Sequence, residues 1–336
     1  MSETPEISIL LPVFDGGATL PACLTSIARQ THRDWECVVV DDGSADHSLE
    51  LASRAAELDS RFRVVSRPHR GLVSALNAGI AHCRGRYVAR MDSDDLMHPE
   101  RLMRQAGALD TAPEIAAVGC GVRLFPRRNL GPGMRRYERW LNAIDSTERV
   151  NSDAFVECPI AHPTLVIRRK VLLEFGYRDV GWPEDYDLIL RMIAARRPIG
   201  VVRRRLLAKR CGPRALSLSS ETYATGRFTA CKASFLSRAL LAADPHYVLW
   251  GYGATGRGLR RALREHGKTP AAIVELHPGR LGNTIHSAPV IPPDELAAWR
   301  ELPLVVSVAG AEARQLIRAD LERRGYLELR DYVCAA

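Results

Sequence analysis

Residues 87–102 read YVARMDSDDLMHPERL, an apolar run that breaks into Asp92, Asp94 and Asp95 within four positions. Carboxylates this close raise one another's pKa unless a cation neutralises them. A short apolar run ending in acids reads as a buried strand whose carboxyl end carries polar side chains. In an extended segment residues i and i+2 share a face, so Asp92 and Asp94 are expected to aim together while Ser93 turns away. Two hard oxygen donors on one face make a partial site suited to Mg2+ or Mn2+. The same residues would equally form a turn, with Asp94 or Asp95 capping the helix that follows.

Upstream, strand and helix patterns alternate. The runs EISILLPVF (6–14), WECVVVDDGS (35–44) and FRVVSRP (62–68) read as strands. Leu20, Leu24 and Ile27, the stretch from Ser48 to Leu58, and Leu72, Leu76 and Ile80 mark the helices between them. Repeated strand–helix–strand units imply an α/β fold with a mostly parallel sheet and right-handed crossovers. Ligands of such sheets sit outside the carboxyl ends of the strands. Asp41-Asp42 also ends a strand, so both acidic groups are expected to face one cleft. Taken alone, Asp41-Asp42-Gly43-Ser44 is a turn whose Ser44 or Asp46 caps the next helix.

Downstream, a helix is expected from about Pro99 and an arginine-rich loop from about 126 to 136. PIAHPTLVIRRKVLLEFG (159–176) predicts a strand then a helix, and Pro183 opens another helix. There Glu184 and Asp185 occupy a first turn, where the helix dipole favours acids. Residues 1–216 are read as one domain, 217–243 as a connecting helix, and 244–336 as a smaller Rossmann-like α/β domain. The last begins YVLWGYGATGRGLRRALREHG (247–267), which holds G-x-G-x-x-G at Gly251, Gly253 and Gly256. With Glu275 after the next strand, this matches a nucleotide-binding fingerprint. A ligand-binding role and a structural or docking role both fit the domain.

The chain has 336 residues, a net charge of +8 and eight scattered cysteines. Hydrophobic residues are 46% and charged residues 26%, ordinary for a soluble globular protein. No C-x-x-C pair or His/Cys ligand spacing appears, which argues against a disulfide framework or a zinc site. With no spanning run and no signal-peptide pattern, the sequence reads as cytoplasmic. Its arginine clusters favour anionic partners, including the inner face of a membrane, and are otherwise a solvated basic surface. Nucleic acid is not expected as a partner.

Four stretches in order carry a resemblance: ISILLPVFDGGATLPACLTSIARQT (7–31), VVVDDGSADHS (38–48), HRGLVSALNAGIAHCRGRYVARMDSDD (69–95) and EDYDLILRM (184–192). Over roughly residues 5–240 the chain resembles the family-2 inverting glycosyltransferases of the GT-A fold. The resemblance implies a nucleotide-diphospho-sugar donor, with a UDP-sugar expected, and a glycan or lipid-linked acceptor. It places Pro12 and Val13 along the base, Asp42 on the uracil or other pyrimidine, Asp92 on the ribose, and Asp94 on a divalent metal (Mn2+ or Mg2+). Asp92 assists at the metal, and the cation brought in with the donor neutralises the acidic group. Asp185 becomes the general base, and Glu184, His162 and Arg210 are candidate substrate contacts.

Where many relatives carry a histidine in a late loop, this sequence has AKRCGPRALSLSS (208–220), with Gly212 near the expected place. That puts a third protein metal ligand in doubt and leaves Arg210 or Arg214 for the diphosphate. The terminal domain resembles the small nucleotide-sugar-binding domain that precedes the acyltransferase module of some sugar-nucleotide acetyltransferases. Two other classes stay open: a non-catalytic nucleotide-sugar-binding scaffold, and an NAD(P)-linked oxidoreductase built on the terminal domain.

Overall fold

Strand β1 (Ile7–Val13) has every residue buried, as has β2 (Trp35–Asp41), because both are nearly continuous apolar runs covered on two faces. β3 (Phe62–Ser66) and β4 (Tyr87–Arg90) complete a parallel set, with Ile7 opposite both Trp35 and Tyr87. Helices Leu20–Ala28, Ser48–Leu58 and Leu72–His82 form the crossovers between them. This computed structural model describes residues 4–212 and 220–336.

β5 (Leu96–Met97), β6 (Ala117–Phe125), β7 (Val166–Arg168) and β8 (Ile199–Arg210) extend the sheet. Among the described residues its order is β3-β2-β1-β4-β7-β6-β8-β5. The sheet is parallel from β3 to β4 and again between β6 and β8, but β7 runs antiparallel to both its neighbours and β5 to β8. The expected α/β class therefore holds, with a mixed outer half.

Three local expectations are corrected. β4 stops at Arg90, and Asp92–Asp95 is a turn closed by the Asp95 N–H donating to the Asp92 carbonyl at 3.2 Å. Strand alternation therefore does not align Asp92 with Asp94; Asp and Ser favour turns, and the turn gathers the acids instead. The stretch from 126 to 136 is only partly a loop, because Pro132 starts a helix to Asn142 from the first-turn position where its missing N–H costs nothing. The helix expected from Pro99 begins at Arg101 and runs to Thr111.

The chain separates into two compact units. The first comprises residues 1–150, 160–180 and 187–219, and the second 151–159, 181–186 and 220–336. The expected boundary at 216 and Arg214 lie outside the described residues. In the second unit, helix Thr225–Arg238 precedes β9 (His246–Trp250), β10 (Thr269–Val274), β11 (Thr284–Ile285), β12 (Ala288–Ile291), β13 (Leu304–Val306) and β14 (Tyr332–Cys334). The order is β11-β12-β10-β9-β13-β14, parallel except at β11. From β12 to β14 this is a doubly wound arrangement whose order reverses at β9. The two early segments are stitched into this unit. Arg318 pairs with Asp153 at 2.7 Å, Lys232 Nζ donates to the Val156 carbonyl at 2.7 Å, and the Tyr186 hydroxyl to the Ala154 carbonyl at 2.7 Å.

The glycine turn after β9 divides its labour. Gly251 has φ +93°, a conformation that side chains resist, and helix Ala254–Arg264 starts just beyond Gly253. A Cβ on Gly256 would strike the Gly251 carbonyl and sit 2.7 Å from Ser307 Oγ, whereas one on Gly253 would meet nothing within 4 Å. Gly256→Ala is expected to cost about 1–3 kcal/mol through overpacking. Gly253→Ser should leave stability unchanged within about 0.5 kcal/mol, because serine suits a helix N-cap. Paired urea denaturation curves check both, and equal destabilisation would refute the close-packing account.

Candidate active site

The carboxyl ends of β2 and β4 flank that of β1, which places the Asp42 and Asp92–Asp95 turns on one edge of the first unit. The β1–helix loop between them is held by the segment after β2. Asp15 N–H donates to Ser44 Oγ at 3.0 Å, Gly16 N–H to Ser48 Oγ at 2.9 Å and Gly17 N–H to Asp46 Oδ2 at 2.8 Å. Asp46 also accepts the Ser48 N–H at 2.9 Å, but the N-cap position of helix Ser48–Leu58 is His47, which makes no side-chain cap. The expected cap by Ser44 or Asp46 therefore does not form at that position, and Asp46 lies one residue off.

Asp42 is buried and already heavily engaged. Its carboxylate accepts the Gly71 N–H at 2.8 Å and the Arg70 N–H at 3.2 Å, with Arg67 Nε 3.1 Å away and His69 Nδ1 2.9 Å away. Its own N–H donates to the Val13 carbonyl at 2.9 Å. Pro12 and Val13 are buried within β1, and the surface beside them is made by Phe14. That ring is 49% exposed and stacks on His69 with centroids 4.0 Å apart. Sequence reasoning passed over both members of this aromatic pair; an aromatic directly after a strand that ends at a ligand edge was the available signal.

In the acidic turn, carboxylate oxygens of Asp92, Asp94 and Asp95 lie within 4.8 Å of one another. Arg90 NH2 contacts Asp92 Oδ1 at 2.6 Å. Burial opposes ionisation of Asp92, but Arg90, Lys209 and His162 outweigh it and hold its carboxyl below the usual range. Asp94 is pushed up by burial and by Asp92. Asp95 is raised well above the ordinary carboxylate range by its burial, against the pull of Lys209. Asp95 Oδ1 accepts the Arg210 N–H at 2.6 Å, while its buried Oδ2 has no hydrogen-bond partner among the described residues. Burial works against charge on Lys209, yet Asp95, Asp92 and Asp94 together raise its pKa and keep it an ammonium. The expected balancing cation is thus partly supplied by the chain itself. Neither Arg90 nor Lys209 was singled out in the sequence, because pairing of β8 with β5 (Leu96 opposite Ala208) and with β6 is what brings Lys209 here.

Three clustered carboxylates, one of which also carries a buried oxygen with no hydrogen-bond partner among the described residues, fit a divalent cation of the Mg2+ or Mn2+ type. Arg210 donates from Nε to the Asp94 carbonyl at 2.9 Å and lies over the Phe125 ring at 4.6 Å, which fixes the turn from outside. His162 is buried, with Nε2 2.8 Å from the Tyr177 hydroxyl.

Glu184 and Asp185 belong to the second unit. Glu184 is buried and accepts the Tyr223 hydroxyl at 2.5 Å; Asp185 is half-buried, with Oδ1 accepting the Tyr186 N–H at 2.7 Å. The third acid of this stretch, Asp187, is fully buried in the first unit between Arg178 (2.6 Å) and Arg191 (2.6 Å). Also in the second unit, the Glu275 carboxylate accepts the Tyr252 N–H at 2.7 Å and pairs with Arg280 at 2.9 Å. That acid braces its own glycine turn.

Residues 8–176 match the family described as glycosyl transferase family 2, and the chain belongs to it. Among its relatives is the amylovoran biosynthesis glycosyltransferase AmsE of Erwinia amylovora. The two are 33% identical over 209 residues, covering 61% of this chain and 76% of that protein. With several other curated relatives the match covers less than a third of the relative's own length. Two solved structures share the fold. TarS 1-349 of S. aureus, in complex with UDP-GlcNAc, has TM-score 0.53 and 18% identity, over 78% of this chain and 72% of that one. The mannosyltransferase PcManGT of Pyrobaculum calidifontis, in complex with GDP-Man and Mn2+, has TM-score 0.52 and 16% identity, over 98% and 83%.

Asp187→Ala should destabilise the protein by about 3–5 kcal/mol, because it removes the fully buried carboxylate that pairs with Arg178 and Arg191 and leaves Arg191 only the Phe175 and Gly176 carbonyls. Asp185→Asn, which keeps an acceptor for the Tyr186 N–H on a half-buried side chain, should cost less than Asp187→Ala. Chemical denaturation of the two variants separates the anchoring acid from the half-buried one.

Proposed function

We propose that the protein transfers a sugar, with inversion, from a nucleotide-diphospho-sugar to a hydroxyl of a glycan or lipid-linked acceptor in surface polysaccharide assembly. The observation that carries this reading is the Asp92/Asp94/Asp95 turn at the carboxyl end of β4 in a family-2 chain. A UDP-sugar is the proposed donor, in line with the nucleotide sugar bound by TarS. Phe14 and the Asp42-held loop would receive the base, and Asp92 the ribose.

Asp92, Asp94 and Asp95 would hold the divalent cation, which when bound stabilises charge on the departing diphosphate. Lys209 and Arg90 keep the turn close to neutral before any cation arrives, so the three acids can stay clustered. Asp185 is the proposed general base, taking the proton of the acceptor hydroxyl as it attacks. Its partial exposure supports that assignment over Glu184, whose carboxylate is buried against Tyr223. Because Glu275 is engaged within its own turn, the terminal glycine motif is assigned a structural role rather than a second nucleotide site.

A panel of nucleotide sugars, followed by release of nucleoside diphosphate with Mn2+, Mg2+ or chelator, tests the reaction. Asp94→Ala should lower metal-stimulated turnover by roughly a hundredfold or more, about 3 kcal/mol of barrier. Undiminished turnover in that variant would overturn the metal assignment. Asp185→Asn should lose transfer by about 10²–10⁴-fold while calorimetry still records donor binding. Equal losses of rate and donor affinity would move the base elsewhere.

A further inference from the structure

Helix Pro132–Asn142 (PGMRRYERWLN) is pinned to the outer part of the large sheet by polar contacts on its inner side. Val122 N–H donates to Asn142 Oδ1 at 2.8 Å, Asn142 Nδ2 to the Val122 carbonyl at 2.9 Å, and Leu124 N–H to Glu138 Oε1 at 3.0 Å. A Cβ on Gly121 would lie 2.7 Å from Asn142 Oδ1, so that side of β6 is the side the helix covers. Arg123 follows two positions along, and Arg205 lies opposite Gly121 in the β6–β8 pairing. Arg205 also acts electrostatically on Glu138, so it lies near the helix, and Arg123 lies on the same side as Gly121 along β6 although the pairing with β8 is irregular at Gly121.

The face is crowded with guanidinium groups. Arg123, Arg128, Arg135, Arg136, Arg139 and Arg205 are exposed, and none has an ion pair with a carboxylate among the described residues. Only Arg127 (to Glu138, 2.5 Å) and Arg203 (to Asp145, 3.1 Å) are matched there. Six unpaired guanidiniums against the two carboxylates of Glu138 and Asp145 leave an excess of like charge, which creates a strong positive potential. Among them sit Met134, 37% exposed, and the half-buried rings of Tyr137 and Trp140, with centroids 5.9 Å apart. Guanidiniums suit lipid phosphates, and tyrosine and tryptophan suit the headgroup level, so the mixture matches a surface-lying membrane helix.

We infer that this arginine-rich face docks the protein on an anionic membrane surface. Charge complementarity identifies the partner, and the interleaved Met134, Tyr137 and Trp140 favour lipid over a purely polar polyanion. The inference adds a partner to the transfer reaction proposed above, but its readout is binding alone, so the two stand or fall separately.

The test is co-sedimentation of the full chain with phosphatidylcholine vesicles and with vesicles containing about one third phosphatidylglycerol. The protein should pellet only with the anionic vesicles and should be released by salt. Each arginine at the surface is worth about fivefold in partitioning, so R135Q/R136Q/R139Q should weaken binding by roughly a hundredfold. R123Q/R205Q, on the strands beneath, should weaken it by about twenty-five-fold. Glutamine keeps helix propensity, and unchanged melting curves exclude unfolding as the cause. R29Q/R33Q removes two exposed charges near β2 and should have little effect. Equal weakening by this control pair, equal binding to neutral vesicles, or binding to a single-stranded RNA without binding to vesicles would each overturn the inference.

Discussion

The electrostatic balance at the Asp92–Asp95 turn is the constraint around which the first unit is arranged. Three carboxylates within 4.8 Å would repel strongly if left to themselves. Arg90 meets them from the strand before, Lys209 from β8, and the backbone N–H of Arg210 caps Asp95. Arg101, wholly buried, supports the turn from below by donating to the Arg90 carbonyl at 2.9 Å and to Gln105 at 2.9 Å. Long-range pairing of β8 with both β5 and β6 thus brings Lys209 to the acids. The result is a poised site: neutral enough to fold, with one buried oxygen still seeking a partner.

A second organising contact is Asp42. Its carboxylate gathers the N–H groups of residues 70 and 71 and the side chains of Arg67 and His69, which fixes the loop leading into helix Leu72–His82. Gly71 turns that corner at φ +84°. The acid thus shapes the edge on which a base would lie, and it places His69 against Phe14. In the proposed donor complex its influence on the nucleotide would be exerted as much through this aromatic surface as through its own oxygens.

The elements legible in the sequence were those with short-range signatures. β1 to β4, their crossovers and the glycine turn after β9 all follow from apolar periodicity and turn residues. The acids at the ends of β2 and β4 followed from the same reading. What the sequence hid depended on partners distant along the chain. The antiparallel insertion of β7, the approach of Lys209 to the acidic turn, and Glu275 folding back on Tyr252 each involve register or side-chain geometry that no local pattern encodes. Of the two readings of Asp92–Asp95, strand end or turn, the turn is the one that forms; apolar residues running up to Met91 hide the break at Arg90 that would have decided between them. Helix Pro132–Asn142 was masked by the glycines and prolines around it.

The interleaving of the two units bears on how the chain can be made and remodelled. The second unit draws on residues 151–159 and 181–186 as well as on everything from 220 onward. During synthesis those early segments emerge long before β9 to β14, and they must wait for Arg318 and Lys232 to be translated. Completion of this unit is therefore a late event with large sequence separation, the kind of closure that slows folding. The same threading limits modular exchange. A recombination point placed between helix Thr225–Arg238 and β9 would transplant the later sheet without the strips of chain it was built to clasp, so a viable chimera must carry Asp153, Val156 and Tyr186 along with it.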